Sequence, residues 1–213
     1  MRRYKTNEPD RKSKDGSWVR TFSIGGVKHT TRAFALWNNL NSRVANKYDG
    51  YSASYVECSN MFKDFQEFAE WANVQYGYMH KDENGRFWQL DKDLLFTNNK
   101  EYTPNNCIFI PQRINLIISK SFSVEGELPV GVSYYSSKAI KYEARCRDGM
   151  GGKGRLGIFD NIEDAHKEWQ KAKIQVVDNL LLTDEVKSHV RLHTGLLEFR
   201  DRISNDLLLG KIT

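Results

Sequence analysis

Four polar side chains near the middle of the chain are of the types that bind a hard cation or move a proton. Asp91 and Lys92 are adjacent, and Asn106 precedes Asn115 by nine positions. Carboxylate and amide oxygens are the ligands that Mg²⁺ takes in proteins. A lysine accepts a proton near neutral pH only when desolvation or a neighbouring cation lowers its pKa by about 3 units. These residue types allow a cation site beside a lysine whose role as a base is open.

The elements that must position these side chains are two short strands and a helix. Apolar and polar residues alternate over 88–94, which is the period of a half-buried strand. Turn-forming residues at 97–100 and the apolar run 107–110 predict a loop and a second strand. Pro111 suits the first position of the helix that follows. The apolar face of this helix comprises Ile114, Ile117 and Ile118.

This order of strand, loop, strand and helix, with polar residues at matching points, resembles the ββα-metal hairpin of the HNH nucleases. The resemblance implies that Asp91 and Asn115 hold Mg²⁺ or Mn²⁺, and that Asn106 orients the general base. The metal would neutralise the phosphate and its leaving oxygen while a base activates water. The interval of nine positions between Asn106 and Asn115 is the usual one for this motif in the family.

The chain departs from this pattern at Lys92, which stands where the family has its general-base histidine. An imidazole titrates near neutral pH and suits that role. His80, a few residues upstream, is the imidazole that could replace the missing one. The alternative interpretation is that residues 91–93 form a solvated strand end and Asn105-Asn106 an ordinary turn.

Residues 18–31 predict two strands joined through a Gly-Gly turn. Thr30 or Thr31 is the expected cap of a following helix, and Ser59 or Asn60 that of a second helix. The aromatic residues of the second helix are interpreted as core, with base stacking as the alternative. The ordered blocks over residues 30–120 are similar to phage-encoded HNH or homing endonucleases, which cut or nick duplex DNA.

Residues 131–159 predict three antiparallel strands, and Asn161 caps a helix behind them. The blocks GV…YEARCR…GRLGIFDNIEDA…W resemble the Apetala-type DNA-binding domain, which also occurs in phage homing endonucleases. The resemblance implies that the sheet lies in the major groove, where Arg reads guanine and Lys contacts phosphate. The alternative is a solvated sheet side. The expected DNA-contacting residues are Lys138, Lys141, Arg145, Arg147, Lys153 and Arg155, with Tyr134 and Tyr135 near the edge.

Composition bears on the kind of partner and on the compartment. The 213 residues contain 32 Lys and Arg against 27 Asp and Glu, and residues 1–32 carry nine basic against three acidic side chains. This basic arm suits phosphate contacts, with a solvated, partly disordered terminus as the alternative. No apolar run approaches the ~20 residues of a membrane span. The N-terminus has no apolar signal core, and the three cysteines are scattered along the chain. We therefore expect a cytoplasmic protein of a bacterial host cell with reduced thiols.

The tail, 183–213, predicts one or two helices, with Thr183 as a cap. Its apolar stripe is expected to pack within the chain, with pairing of two copies into a homodimer as the alternative. His189 and His193 are one helical turn apart and are interpreted as surface residues rather than metal ligands. The stripe comprises Leu192, Leu196, Phe199, Ile203 and Leu207.

The sequence therefore predicts an α+β protein with four segments. These are a basic arm and hairpin (1–32), an HNH-like ββα-metal domain (33–120), an Apetala-like sheet and helix (129–180) and a helical tail (181–213). Two functions remain open. The chain is either a metal-dependent endonuclease or nickase, or a DNA-binding regulator or phage accessory protein that has lost cleavage on the same scaffold.

Overall fold

The computed structural model describes residues 4–45, 57–96, 99–119, 128–136, 141–148 and 154–212. The fold is mixed, with small sheets and, within those residues, six helices, in agreement with the predicted α+β class. None of the described helices combines the length and apolar character of a membrane span. The three cysteines are buried. The chain forms two compact units, Met1–Phe109 and Ile110–Thr213.

The first unit begins with a sheet in the order β1 (Tyr4–Glu8), β3 (Val27–Thr31) and β2 (Thr21–Ile24). The antiparallel β2–β3 hairpin is as predicted. Gly25 and Gly26 form its turn with φ values of 55° and 74°, a conformation that glycine adopts without steric cost. β1 pairs in parallel with β3. The alternative of a disordered terminus is therefore wrong from residue 4 onward.

Helix α1 (Arg32–Val44) begins after Thr31, as predicted, but its first turn is capped from another part of the chain. The Thr31 side chain makes no cap bond. Asp10 Oδ1 instead accepts from the backbone amide of Ala33 at 3.0 Å, and Asp10 Oδ2 accepts from the Tyr78 hydroxyl. The basic arm is thereby fastened to the body of the unit.

The predicted caps of the second helix are wrong. Helix α2 (Phe65–Asn73) is capped by Asp64, whose Oδ1 accepts from the Glu67 amide at 3.0 Å. Ser59 and Asn60 instead form a short strand, β4 (Ser59–Asn60), parallel to β6 (Glu101–Tyr102). Pairing with a distant strand outweighs the local cap preference of a serine and an asparagine.

The aromatic residues of the second helix pack in the core, as expected. Phe65 and Phe68 are buried, and Trp71 is half-buried against them. The alternating segment yields only a short strand, β5 (Gln89–Asp91), which pairs with β7 (Ile108–Ile110). The buried aromatic residues include Phe62, Phe65, Phe68, Tyr78, Trp88 and Phe109.

The second unit contains the predicted three-stranded antiparallel sheet. Its order is β10 (Arg155–Phe159), β9 (Lys141–Arg145) and β8 (Val132–Ser136). Helix α4 (Ile162–Leu181) is capped by Asn161, whose side chain accepts from the Asp164 amide. One face of the sheet packs on this helix. The small core between them comprises Val132, Ala144 and Ala165, with Tyr142 and Phe159 at its border.

Three further helices complete the second unit: α3 (Gln112–Ile118), α5 (Asp184–Lys187) and α6 (Val190–Leu208). Helix α6 packs along α4, so its apolar stripe is covered within the chain. His189, expected at the surface, is buried, and its Nδ1 accepts from the Leu192 amide at 3.4 Å. That prediction is wrong because the histidine serves as the N-cap of α6.

Candidate functional site

Asp91 lies at the end of β5, where the backbone turns. Its Oδ1 accepts from the amides of Asp93 at 3.0 Å and Leu94 at 2.9 Å. Asp91 is only 8% exposed. Burial raises the pKa of Asp91 to about 6, and the Asp93 carboxylate adds to this effect, while the backbone N–H bonds and Lys92 oppose it. Asp91 therefore keeps its proton at a pH where an ordinary carboxyl group has lost it.

Lys92, the residue at the position of the family's general base, is 4% exposed. Its Nζ donates to Asp93 Oδ1 at 2.5 Å and to the backbone carbonyl of Asn99 at 2.7 Å. The Tyr102 ring centroid lies 5.8 Å from the same nitrogen. Asp91 and Lys92 are thus not a solvated strand end. The amine is enclosed by hydrogen-bond acceptors and an aromatic ring.

Asn99 is the residue at this site that the sequence did not single out. Its Nδ2 donates to the carbonyls of Lys92 at 2.9 Å and Glu101 at 2.7 Å. Its Oδ1 accepts from the Glu101 amide at 3.0 Å and from Asn106 Nδ2 at 3.2 Å. Asn99 therefore joins Lys92 to Asn106. The sequence signal that could have identified Asn99 is its position in the turn between Lys92 and Asn106. Asparagine side chains in turns commonly hydrogen-bond to the backbone.

The structure brings three of the predicted residues into one network, to which His80 does not belong. Asp91, Lys92 and Asn106 are connected through the chain and through Asn99. Asn115 is half-buried on α3, in the second unit. His80 is exposed, and its ring packs against Tyr76 at 4.7 Å and Trp88 at 5.1 Å between centroids. The histidine is therefore held by aromatic rings rather than by the Asp91 network.

The residues of the first unit fit a hard cation only in part. The donor types are suitable, because Asp91 and the neighbouring amides offer oxygen ligands. One oxygen of Asp91 already accepts two backbone N–H bonds, and the Lys92 ammonium is next in the chain. Among the described residues, no three His, Cys, Asp or Glu side chains are grouped to hold a metal.

The second candidate site is the open face of the β8–β9–β10 sheet. Tyr142 and Ala144 face α4, so alternation along β9 places Lys141, Glu143 and Arg145 on the opposite side. The Glu143 carboxylate accepts from Arg145 Nε at 2.7 Å and forms an ion pair with Arg155 Nε at 2.8 Å. This face is defined here as the sheet face. It comprises Tyr135, Lys141, Glu143, Arg145 and Arg155.

Most of the predicted DNA-contacting residues that the structure describes lie on or beside the sheet face. The Arg155 guanidinium lies 5.2 Å from the Tyr135 ring centroid. Lys141 is exposed and pairs with Asp160 at 2.8 Å. Tyr134 is exposed but packs against Tyr142, on the side of the sheet that bears α4. Arg147 is exposed just beyond β9, and Lys138 and Lys153 lie outside the described residues.

Comparison with protein-family models, with curated proteins and with solved structures finds no match for this chain. The function is therefore argued from the two sites described above.

Proposed function

We propose that this protein binds duplex DNA with the sheet face of its second unit. The observation that carries the proposal is the pair of guanidinium groups of Arg145 and Arg155. Their side chains are 54% and 49% exposed on a sheet whose other face is covered by α4. The major groove admits a two-stranded β-ribbon, and Arg is the side chain that most often reads guanine there. The resemblance to the Apetala-type domain implies the same mode of binding.

The charge distribution supports a polyanionic partner. The chain has a net charge of +5, and its first 32 residues carry nine basic side chains against three acidic ones. Lys and Arg contacts to phosphate release counterions, so the affinity for DNA is expected to fall steeply as salt rises. An affinity that stays constant from low to high salt would count against a DNA partner.

The direct test compares two double variants of the full chain in a binding titration with fluorescent duplex DNA. Replacing Arg145 and Arg155 with alanine is expected to weaken binding at least about tenfold, because base and phosphate contacts are both lost. The control replaces Lys167 and Lys171 with alanine, and this double substitution removes the same positive charge from α4. Equal losses in the two variants would show that charge alone, and not the sheet face, binds the duplex.

The second candidate function is metal-dependent cleavage or nicking of that duplex by an HNH-type first unit. Two observations favour it. Asn99 joins Lys92 and Asn106, two of the positions implied by the ββα-metal resemblance. The pKa of Asp91, about 6, is also close to that of the imidazole that serves as base in the family. In this proposal Asp91 would be the carboxylate ligand of Mg²⁺ or Mn²⁺, and the metal would supply charge neutralisation at the phosphate.

The alternative is a DNA-binding regulator or phage accessory protein without cleavage, and a plasmid-nicking assay separates the two. The assay uses supercoiled plasmid with Mg²⁺ or Mn²⁺ and compares the wild type with Asp91→Asn. Asparagine keeps the acceptor for the two backbone amides, so a loss of nicking would report on the chemistry. Nicking by the wild type that is abolished in the variant supports the nuclease. Intact plasmid with intact binding supports the regulator.

A further inference from the structure

Glu143 is a buried acid in the middle of a basic surface. Its side chain is 8% exposed, and both oxygens are engaged. Oε2 accepts from Arg145 Nε at 2.7 Å and lies 2.7 Å from a terminal nitrogen of the same guanidinium, and Oε1 forms an ion pair with Arg155 Nε at 2.8 Å. One carboxylate therefore holds two guanidinium groups from neighbouring strands.

The carboxylate opposes the general attraction of the sheet face to phosphate, since it carries the same sign of charge as DNA. Its other effect is geometric. Arg145 and Arg155 are partners in the register of β9 and β10, so their positive charges would repel each other without an acid between them. The Tyr135 ring supports Arg155 from the side. Both side chains are thus held in fixed directions before any ligand arrives.

We propose that Glu143 is a positioning residue that sets the base preference of the sheet face, an inference that rests on the proposed DNA-binding function. An arginine has five N–H donors in a planar fork. The Arg155 nitrogen that lies against Glu143 is Nε, at 2.8 Å from Oε1. Arginine binds the O6 and N7 atoms of guanine bidentately, and in this proposal the two terminal nitrogens of Arg155 make those bonds. Base preference then depends on a residue that need not touch the DNA.

The test uses the full chain and a pool of duplex DNA randomised over its central segment. Wild-type protein selects its preferred duplex, and affinities are then measured for that duplex and for versions in which single guanines are replaced. Glu143→Gln is expected to lower the ratio between preferred and altered duplexes by about tenfold, the discrimination of one bidentate contact. Affinity for unrelated duplex should stay equal or rise, because one negative charge has been removed.

Two controls make the outcome specific. Glu168→Gln removes the same charge from α4, where Glu168 pairs with Lys171, and is expected to leave the ratio unchanged. Glu143→Asp keeps the charge but shortens the side chain, and is expected to lower the ratio by a smaller factor. Thermal unfolding of each variant confirms that it is folded, and the Asp variant carries the test where the Gln variant does not fold.

The outcomes distinguish this inference from the proposed function. A wild-type protein that binds no duplex defeats both. A wild type with a clear base preference, together with folded Glu143 variants that keep the full ratio, overturns the positioning role alone. A lowered ratio with unchanged or increased general affinity supports it, because a loss of folding would weaken both kinds of binding together.

Discussion

Replacing Asp91 with asparagine separates two opposing effects of this buried carboxyl group on stability. The amide oxygen of asparagine can still accept the backbone bonds from Asp93 and Leu94. The amide does not ionise, so the cost of a buried negative charge disappears. We expect Asp91→Asn to stabilise the first unit at neutral pH and to leave its stability nearly unchanged in acid.

The magnitude follows from the pKa of Asp91, which burial raises from 3.8 to about 6. The folded state therefore binds the proton more tightly than the unfolded chain does. As pH rises from about 4 to about 6, the unfolded chain loses this proton first, so the wild-type free energy of unfolding falls. A shift of about 2 pKa units corresponds to about 3 kcal/mol. Above this range the variant is expected to be more stable by up to that amount.

The assay is urea unfolding at a series of pH values, followed by tryptophan fluorescence. Four of the five tryptophans, Trp18, Trp37, Trp71 and Trp88, belong to the first unit, so the signal reports mainly on it.

Two further variants serve as controls for this prediction. Asp64→Asn makes the same change at the exposed cap of α2, where asparagine and aspartate cap equally well. Asp91→Ala removes the acceptor from two amides and is expected to cost about 1–3 kcal/mol relative to Asp91→Asn at every pH. A difference between wild type and Asp91→Asn that does not change with pH would refute the reasoning.

Two more substitutions test the packing of each unit. Gly131 has φ of 82°, and an added Cβ would lie 2.0 Å from the Trp169 ring, so Gly131→Ala is expected to cost about 2–5 kcal/mol. Hydrogen exchange of α4 measures this, and Gly210→Ala, where the space is open, should cost only about 1–2 kcal/mol. Arg32 is buried and donates to two backbone carbonyls at 2.9 and 2.8 Å. Arg32→Met should therefore lower the urea midpoint of the first unit, at a cost of about 2–6 kcal/mol.

Several strands and helices could be predicted from the sequence because local patterns decide them. The Gly25-Gly26 turn fixes the first hairpin, and the alternation of Tyr142 and Ala144 identifies the face of β9 that meets α4. Asn161 caps α4 as expected, since a cap needs only neighbours three residues away. Each of these features depends on contacts within a short segment.

The failures share a different cause, which is a partner far away in the chain. Ser59 and Asn60 have the chemistry of helix caps, yet parallel pairing with β6 makes them a strand. His189 was expected at the surface, yet it is buried at the start of α6, a helix that packs along α4. In neither case do the neighbouring residues in the sequence indicate the distant contact.

The candidate sites likewise contain some residues that local patterns predicted and others that they did not. The positions of Asp91, Lys92 and Asn106 followed from the order of elements, but the residue that joins them, Asn99, did not. On the sheet face the arginines were predicted by their place along the strands. Glu143 was not predicted, because its significance lies in its ion pairs with arginines on two strands at once. Sequence patterns identify side chains that face a ligand more readily than those that orient them.

Asp91 and Glu143 are both buried carboxyl groups, and their partners give them different electrostatic surroundings. Asp91 accepts from two neutral backbone amides, which compensate its charge incompletely, so its pKa rises towards neutrality. An acid in this condition is suited to exchange a proton. Glu143 faces two guanidinium groups of opposite charge, so its effect is on the direction of the two arginine side chains. Asp91→Asn should therefore alter the pH dependence of the first unit without changing base preference. Glu143→Gln should do the reverse, and if either substitution produced both effects, the chemistry and the recognition could not be assigned to separate carboxyl groups.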